Sequence, residues 1–450
     1  MFGSKTTLDM TSGSALKLIC MFSAPFIASN IFQQLYTIVD TMVVGKALGL
    51  NALAALSSID TMNWIVLGII QGMTQGFGIL IAQKFGTKEM QELNRIIKNA
   101  FVLSFLLAMI LLAGIQLLVN PFLIILRVPL EITSMATLYL RIIIGGVPIV
   151  VAYNMESVVL RSLGDSESPF VAITMATIIN VVLDILLVVV LGFGIAGAAI
   201  ATLIAQLVSA IYCAYRIRKI DFVKMSLKGI RLDRDWTVPM LKLGSPLAFQ
   251  NMIISIGGVV LQAVIDGYGV VVIAGMTAAN KLYGILDSVG LAIEYAMVTY
   301  VGQNYGAKKV DRIRKGVTIA NVLSFISCAI FAIISINVGK SFLSLFISGS
   351  PDVVEETMKY AYRFLVDMSV SMPLLYMIHV FRAQLQGIGH TVITMTSGLV
   401  ELVIRIAAAL TVPAIFGPMS LYRVYVLAWI GSDILLIIAY FYYSRRLAQC

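Results

Sequence analysis

The amino-acid sequence predicts an all-α integral membrane protein with twelve transmembrane helices. These form two six-helix lobes related by a pseudo-two-fold axis along the membrane normal. The first observation behind this prediction is composition: of 450 residues, 59% are hydrophobic and 12% are charged, and mean hydropathy is +0.95. Such values lie outside the range of soluble globular chains. The second observation is an internal repeat, in which Pro25 and Asn30 recur as Pro246 and Asn251.

A turn sequence repeats in the same way. The residues Gln83, Gly86 and Lys88 recur as Gln303, Gly306 and Lys308. If each half carries an even number of spans, both halves enter the bilayer from the same side, as in the parallel repeats of transporters. We therefore predict an N-lobe at residues 1–220, a charged linker at 221–235 and a C-lobe at 236–450.

The individual helices follow from segment length, because a hydrocarbon core about 30 Å thick requires about 20 apolar residues per helix. In the N-lobe the predicted spans are 15–44, 52–83, 98–120, 136–160, 169–191 and 195–217. In the C-lobe they are 238–266, 270–303, 316–338, 353–384, 391–415 and 420–443. Lysine and arginine concentrate on one side of these spans, the side of both termini. The positive-inside rule then predicts a multi-pass protein of the cell membrane with both termini in the cytoplasm.

Signatures of enzymes and cofactor sites are missing from the sequence. The two histidines, His379 and His390, cannot form a zinc-protease motif, and the four cysteines show no C-x-x-C spacing. The run Gly339 to Ser341 resembles the end of a phosphate loop, but Ile334 replaces its upstream glycine. We therefore expect no enzyme activity and no cofactor, and we attribute the net charge of +9 to membrane topology rather than nucleic-acid binding.

Asp40 and Asp184 are the strongest candidates for a functional site. An ionisable group inside a span costs at least ~2.5 kcal/mol and usually faces a cavity or a partner. At 1.5 Å per residue, both aspartates reach the outer half of the bilayer, and Thr202 comes to similar depth. Tyr36 precedes Asp40 by one helical turn and Asn180 precedes Asp184 by one turn.

These oxygen-bearing side chains suit a proton or a small cation. As carboxylates they could bind Na⁺, with Asp40, Asn180 and Asp184 as ligands, and when close together and desolvated they would hold a proton. The alternative is structural: Asp40 caps the outer end of a helix, and Asp184 pairs with a backbone or Asn amide.

The C-lobe carries a different set of charges in its spans. They are Lys281, Asp287, Glu294, Asp367, Glu401 and Arg405. Glu401 and Arg405 are four residues apart, which predicts an ion pair within one helix, and Lys281 could pair with a neighbouring carboxylate. Glu294 stands near the inner end of its helix, where it is either solvated or attracts a cationic substrate into a cleft. Met297 and other methionines could line a deformable apolar wall of a substrate cavity.

Three stretches carry a resemblance to a known family. They are Asn180 to Asp184 followed by Gly194 to Thr202, Arg161 to Asp165 with Pro169, and Val301 to Ala307. The chain resembles the multidrug and toxic compound extrusion (MATE) transporters over essentially its whole length. The resemblance implies export of organic compounds through a central cleft in exchange for H⁺ or Na⁺.

The resemblance also assigns residues. In members with an N-lobe cation site the functional positions match Tyr36, Asp40, Asn180, Asp184 and Thr202, and further polar cavity positions match Gln34 and Tyr139. The chain departs from another branch, whose seventh helix carries a coupling glutamate, because no acidic residue lies between Pro246 and Asp266.

We therefore expect secondary active efflux of organic, cationic or amphipathic compounds by H⁺ or Na⁺ antiport through alternating access. The expected partners are a small-molecule substrate and the lipid bilayer, with no nucleic acid, and the protein is expected to be a monomer. Two alternatives stay open: a flippase of lipid-linked precursors from the same superfamily, which should have a more cationic cavity, and an intramembrane lipid-modifying enzyme. Facilitator-type transporters are disfavoured, since their basic loop after the second helix is not matched by Gln83 to Lys88.

Overall fold

The computed structural model describes residues 7–126, 128–224 and 232–447, except for the side chains of residues 35–38 and 447. The helices before the linker are α1 (Ala15–Leu48), α2 (Leu50–Thr87), α3 (Met90–Ile125), α4 (Leu130–Gly145), α5 (Val147–Ser162), α6 (Glu167–Asp184) and α7 (Gly194–Arg218). After the linker follow α8 (Arg234–Asp266), α9 (Val270–Gly306), α10 (Val310–Leu343), α11 (Pro351–Gly387), α12 (Thr391–Phe416) and α13 (Leu421–Leu447). The described residues contain no β-strand.

The helices match the predicted spans. In the described part of the chain, 11 helices are long and apolar enough to cross a membrane, and α4 and α5 form a further pair bent by 46°. The bent pair covers the predicted span 136–160, which gives twelve spans and confirms the all-α membrane fold. The bend falls where Gly146 precedes Pro148, and proline is tolerated in the first turn of a helix because no intrahelical acceptor awaits its missing N–H.

The duplication extends to the backbone of the turns. Gly49 before α2 has φ 84°, and Gly269 before α9 has φ 87°. At the other ends of the same helices, Lys88 has φ 63° and Lys308 has φ 57°, the only non-glycine residues with positive φ among those described. A left-handed conformation is uncommon for lysine. Its occurrence at both matched positions shows that the repeated turn sequence encodes a repeated turn structure.

Contacts within the chain define two compact units. The first unit comprises Met1–Asp9 and Ala24–Ala248, and the second comprises Met10–Ser23 and Phe249–Cys450. Helices α1 and α8 are thus divided between the units by contact. The predicted lobes, 1–220 and 236–450, follow the sequence duplication instead and stay a prediction. Of the predicted linker 221–235, residues 225–231 lie outside the described part.

Two hydrophobic clusters form the core of the first unit. One contains Val188 of the π-helical turn that continues α6, with buried residues of α1 to α5 and α7. The other contains Ala172 near the start of α6, with buried residues of α2, α3, α5 and α7. Asn180 and Asp184 lie on α6 between these two positions. The candidate polar residues therefore occupy the stretch of α6 between two apolar clusters.

The loop between α5 and α6 is closed by Asp165. Its Oδ1 accepts a hydrogen bond from the Ser168 backbone N–H at 2.9 Å, and its Oδ2 accepts one from the Ser168 hydroxyl at 2.6 Å. Arg216 of α7 lies 3.9 Å from the same carboxylate. Burial raises the pKa of Asp165 above its usual value, while the hydrogen bonds from Ser168 and the charge of Arg216 oppose that rise. The aspartate of the Arg161–Asp165 motif thus anchors the start of α6.

Close packing in the first unit depends on two glycines of α2. A Cβ atom at Gly72 would lie 2.3 Å from the backbone N of Ala248, and one at Gly76 would lie 2.3 Å from the Cα of Gly244. Both glycines thus sit four residues apart opposite a pair of small residues four apart on α8. Small residues at this spacing let helix backbones approach closely in membranes.

We expect Gly76→Ala to destabilise the protein, because its new methyl group would collide with the backbone of α8 rather than with a movable side chain. Overpacking of this kind costs about 1–3 kcal/mol. The measurement is thermal unfolding in detergent, with Gly114→Ala as the control, since a Cβ at Gly114 meets no atom within 4 Å. A melting temperature of Gly76→Ala equal to that of Gly114→Ala would contradict the close crossing.

Candidate functional site

The structure places Asp40 and Asp184 inside helical segments. Helix α1 continues beyond Asp40 to Leu48, so the alternative in which Asp40 caps a helix end is wrong. Asp184 has no exposed surface and is the last residue of α6 before the π-helical turn Ile185–Val190. Such turns are rare and occur frequently at functional sites.

Asn180 joins Asp184 to α7. With its amide orientation assigned from its hydrogen bonds, Asn180 donates from its nitrogen to Asp184 Oδ2 at 2.7 Å and accepts from the Thr202 backbone N–H at 3.2 Å. The Thr202 hydroxyl donates to the Ala198 carbonyl at 3.1 Å. Thr202 therefore contributes its backbone amide to this arrangement, and Asn180 presents a donor rather than an oxygen to the aspartate. The part of the structural alternative in which Asp184 pairs with an Asn amide is confirmed.

Asp40 and Asp184 form a pair, which we call the carboxyl pair. Their carboxyl groups lie close enough to act on each other electrostatically, and Oδ1 of each is buried with no hydrogen-bond partner among the described residues. Two neighbouring carboxyl groups shielded from water repel each other when both are ionised, and a proton on one of them removes that repulsion. The pair can therefore hold a proton between its oxygens, or exchange that proton for another cation.

A third acidic residue acts on the carboxyl pair and was not among the residues predicted from the sequence. Asp60 of α2 is exposed, and its negative charge acts on Asp40. The signal was available, because Asp60 lies within the predicted span 52–83 and an ionisable residue in a span is a functional candidate by default.

The residues predicted to line a substrate cavity differ in their exposure. Gln34 is exposed on α1, whereas Tyr139 of α4 is 6% exposed and belongs to an apolar cluster. Met297 of α9 has no exposed surface, so it does not line an open cavity in this conformation. The side chain of Tyr36 lies outside the described residues. The roles of these residues in a cavity stay predictions.

Several of the charged side chains predicted within the C-lobe spans form ion pairs. The predicted ion pair between Glu401 and Arg405 is confirmed. Asp367 pairs with Arg363 at 2.6 Å. Lys281 is exposed and makes no ion pair in the described part of the chain, so its expected pairing with a carboxylate is wrong.

Glu294 does not stand free at the end of its helix. Its Oε2 lies 2.5 Å from His379 Nδ1, and the other ring nitrogen of His379 lies 3.3 Å from Asp287 Oδ1. The expectation that Glu294 is solvated is therefore wrong, because its carboxylate contacts the imidazole of His379. This contact was not predictable from spacing, since His379 and Glu294 are 85 residues apart.

A known protein family and several known proteins are similar to this chain in sequence. The MatE family profile matches residues 25–186 and 246–411. The probable multidrug resistance proteins YoeA and YpnP of Bacillus subtilis (strain 168) are similar to this chain. YoeA is 26% identical over 368 residues, covering 80% of this chain and 78% of its own length, and YpnP is 31% identical over 313 residues, covering 68% of each chain.

A solved structure is similar in fold. It is the outward-facing conformation of a multidrug resistance MATE family transporter of the MOP superfamily, with a TM-score of 0.91, 22% sequence identity, and coverage of 99% of this chain and 100% of that chain. At this level of identity the likeness establishes the shared two-lobe helical architecture.

Proposed function

Since the chain belongs to the MatE family of multidrug efflux transporters, we propose that it exports organic cations or amphipathic compounds in exchange for H⁺ or Na⁺. The observation that carries this proposal is the carboxyl pair in a membrane-spanning bundle, with Asp184 buried and Asp40 half-buried. A buried pair that holds one proton has two charge states, and a transporter can use their difference to couple an ion gradient to substrate movement.

The geometry supports a proton as the coupling ion. Asn180 turns its amide nitrogen toward Asp184, and this donor would repel a bound cation. Sodium would require the amide to rotate and break its contact with the Thr202 backbone. We keep Na⁺ as the second possibility, with Asp40, Asp184 and the rotated Asn180 as its ligands.

The remaining features of the proposal follow from topology. The positive-inside rule supports both termini in the cytoplasm, and the names of bacterial relatives support a location in the cell membrane. We propose that the protein works as a monomer that needs no cofactor, with Glu294 near the path of the cationic substrate.

The test is transport by purified protein in proteoliposomes, with a pH gradient and a Na⁺ gradient imposed separately. We expect accumulation of tetraphenylphosphonium to follow the pH gradient and to collapse when the gradient is dissipated. Liposomes without protein supply the control. Transport that responds to neither gradient would contradict the antiporter proposal.

A further inference from the structure

Four helices of the second unit direct charged side chains into one buried cluster, which we call the charged network. Its members are Asp287 and Glu294 of α9, His379 and Arg382 of α11, Glu401 and Arg405 of α12, and Asp433 of α13. The buried members Arg382, Glu401 and Asp433 are 5%, 5% and 4% exposed. Buried charges within membrane spans are expensive and usually serve a function.

One carboxyl group of the charged network takes part in none of its ion pairs. His379 contacts Glu294 and Asp287, and Glu401 accepts from both Arg382 and Arg405. Even with His379 protonated, the network holds one carboxyl more than its basic groups can neutralise. That surplus carboxyl is Asp433, both of whose oxygens are buried without a hydrogen-bond partner among the described residues.

Helices α11 and α12 and the turn Pro418–Ser420 pack against α13, which carries Asp433. Arg382 and His379 of α11 and Glu401 of α12 are close enough to act on it electrostatically. Arg382 also contacts the residue that precedes Asp433, since its Nη2 donates to the Ser432 hydroxyl at 3.3 Å. The turn Pro418–Ser420 contributes no titratable group.

The guanidinium of Arg382 is hydrogen-bonded to residues other than Asp433. Arg382 Nη2 donates to Glu401 Oε2 at 2.8 Å, and its Nε donates to the Ser397 hydroxyl at 3.0 Å. Asp433 therefore gains no direct hydrogen bond from Arg382 in this conformation. An ionised carboxylate buried without hydrogen bonds is strongly unfavourable, whereas a neutral carboxylic acid is much less so.

We propose that Asp433 is a second proton-binding site, which holds its proton while Arg382 is paired with Glu401 and releases it when Arg382 turns to Asp433. The ligand is a proton rather than a metal cation, because the nearby guanidinium would repel a metal ion. The described residues also contain no group of three or more His, Cys, Asp or Glu side chains that could hold a metal. Arg382 contacts Glu401 and acts electrostatically on Asp433, so a turn of its guanidinium from the first to the second carboxyl is the switch that this proposal requires.

This inference extends the proposed function by adding a second coupled proton, but its central test does not depend on transport. Infrared spectroscopy detects the C=O stretch of protonated carboxylic acids. The comparison is between the double variant Asp40→Asn/Asp184→Asn, which lacks the carboxyl pair, and the same protein with Asp433→Asn added. Carboxylic acids elsewhere in the chain contribute equally to both spectra and cancel in their difference.

We expect the protonated C=O band of the double variant to lose one component when Asp433→Asn is added, and to keep it when Ser432→Ala is added instead. Identical spectra with and without Asp433 would overturn the proposal. Asn keeps the volume of Asp, and thermal unfolding shows whether each variant is folded. If Asp433→Asn does not fold, Asp433→Glu tests the same point, because a protonated glutamate must shift this band rather than remove it.

A second readout connects the site to transport. Calorimetric binding of tetraphenylphosphonium in buffers of different ionisation enthalpy reports the protons released per substrate bound. We expect Asp433→Asn to release fewer protons than the unmutated protein, and an unchanged number would remove the coupling role. If no variant binds this cation, the substrate class proposed above fails, while the infrared comparison still decides the protonation of Asp433.

Discussion

Asp184→Asn is expected to abolish gradient-driven export while the protein still folds. Asparagine keeps the volume of the aspartate, and it can still accept a hydrogen bond from Asn180 through its side-chain oxygen. It cannot take up or release a proton, and it removes the negative charge that would hold Na⁺. Coupled accumulation of an organic cation in proteoliposomes should therefore fall to the level of liposomes without protein, while thermal unfolding stays close to that of the unmutated protein.

The matched control is Asp266→Asn. Asp266 is an exposed carboxylate at the end of α8 that accepts a hydrogen bond from Gln262 at 2.7 Å, and the same chemical change there should leave export intact. Near-normal export by Asp184→Asn would refute the role of the carboxyl pair.

Asp40→Asn should behave as Asp184→Asn does. If the two carboxyls act as one unit, the double variant should lose little more activity than either single variant, because the first substitution already destroys the shared proton. Residual activity in each single variant, with losses that add in the double variant, would indicate two independent sites.

Much of the fold was predictable because the bilayer restricts the possible structures so strongly. A chain crossing hydrocarbon must satisfy its backbone hydrogen bonds internally, so apolar segments of the right length become helices. The helical repeat also predicted that Asn180 lies beside Asp184, one turn away on the same helix. Contacts within one helix, such as Glu401 with Arg405, are accessible to this reasoning because they depend on spacing alone.

Contacts between distant segments were not predictable in the same way. The sequence suggested that Lys281 pairs with a neighbouring carboxylate and that Glu294 is solvated, yet Glu294 contacts His379. Helix packing and not spacing decides which side chains meet. Asp433 was missed although it lies within the predicted span 420–443, where an ionisable residue is a functional candidate by default. Its significance depends on a contact between distant segments, because Arg382 pairs with Glu401 and leaves Asp433 without a hydrogen-bond partner.

Matched positions of the repeat show where the two halves differ in their ionisable residues. Asp40 lies fifteen positions after Pro25, and the residue fifteen positions after Pro246 is Leu261, which is 1% exposed. The second half thus has a leucine where the first has one member of its carboxyl pair. The charged network of the second half lies on α9, α11, α12 and α13 instead, so the two halves arrange their buried ionisable groups differently.

Lowering external pH is expected to weaken the binding of an organic cation to the unmutated protein. A cationic substrate is stabilised by a negative carboxyl pair, whereas a proton neutralises that pair, so the two ligands oppose each other. Linkage makes the effect reciprocal: a substrate that binds better to the deprotonated protein must also promote proton release. Couplings of this kind typically amount to about 1–3 kcal/mol, or roughly a 5- to 150-fold change in affinity.

The sign of this dependence distinguishes competition from other effects of pH. Affinity must fall as pH drops through the titration of the carboxyl pair and must level off once the pair is fully protonated. Asp184→Asn should flatten the curve, because it removes one of the two groups between which the proton is shared. Fluorescence titration of detergent-solubilised protein with ethidium, over a series of pH values with and without Na⁺, measures this directly. An affinity independent of both ions would show that substrate and cation do not compete, and coupling would then have to arise from conformational change alone, since a ligand shifts only those equilibria whose states it binds differently.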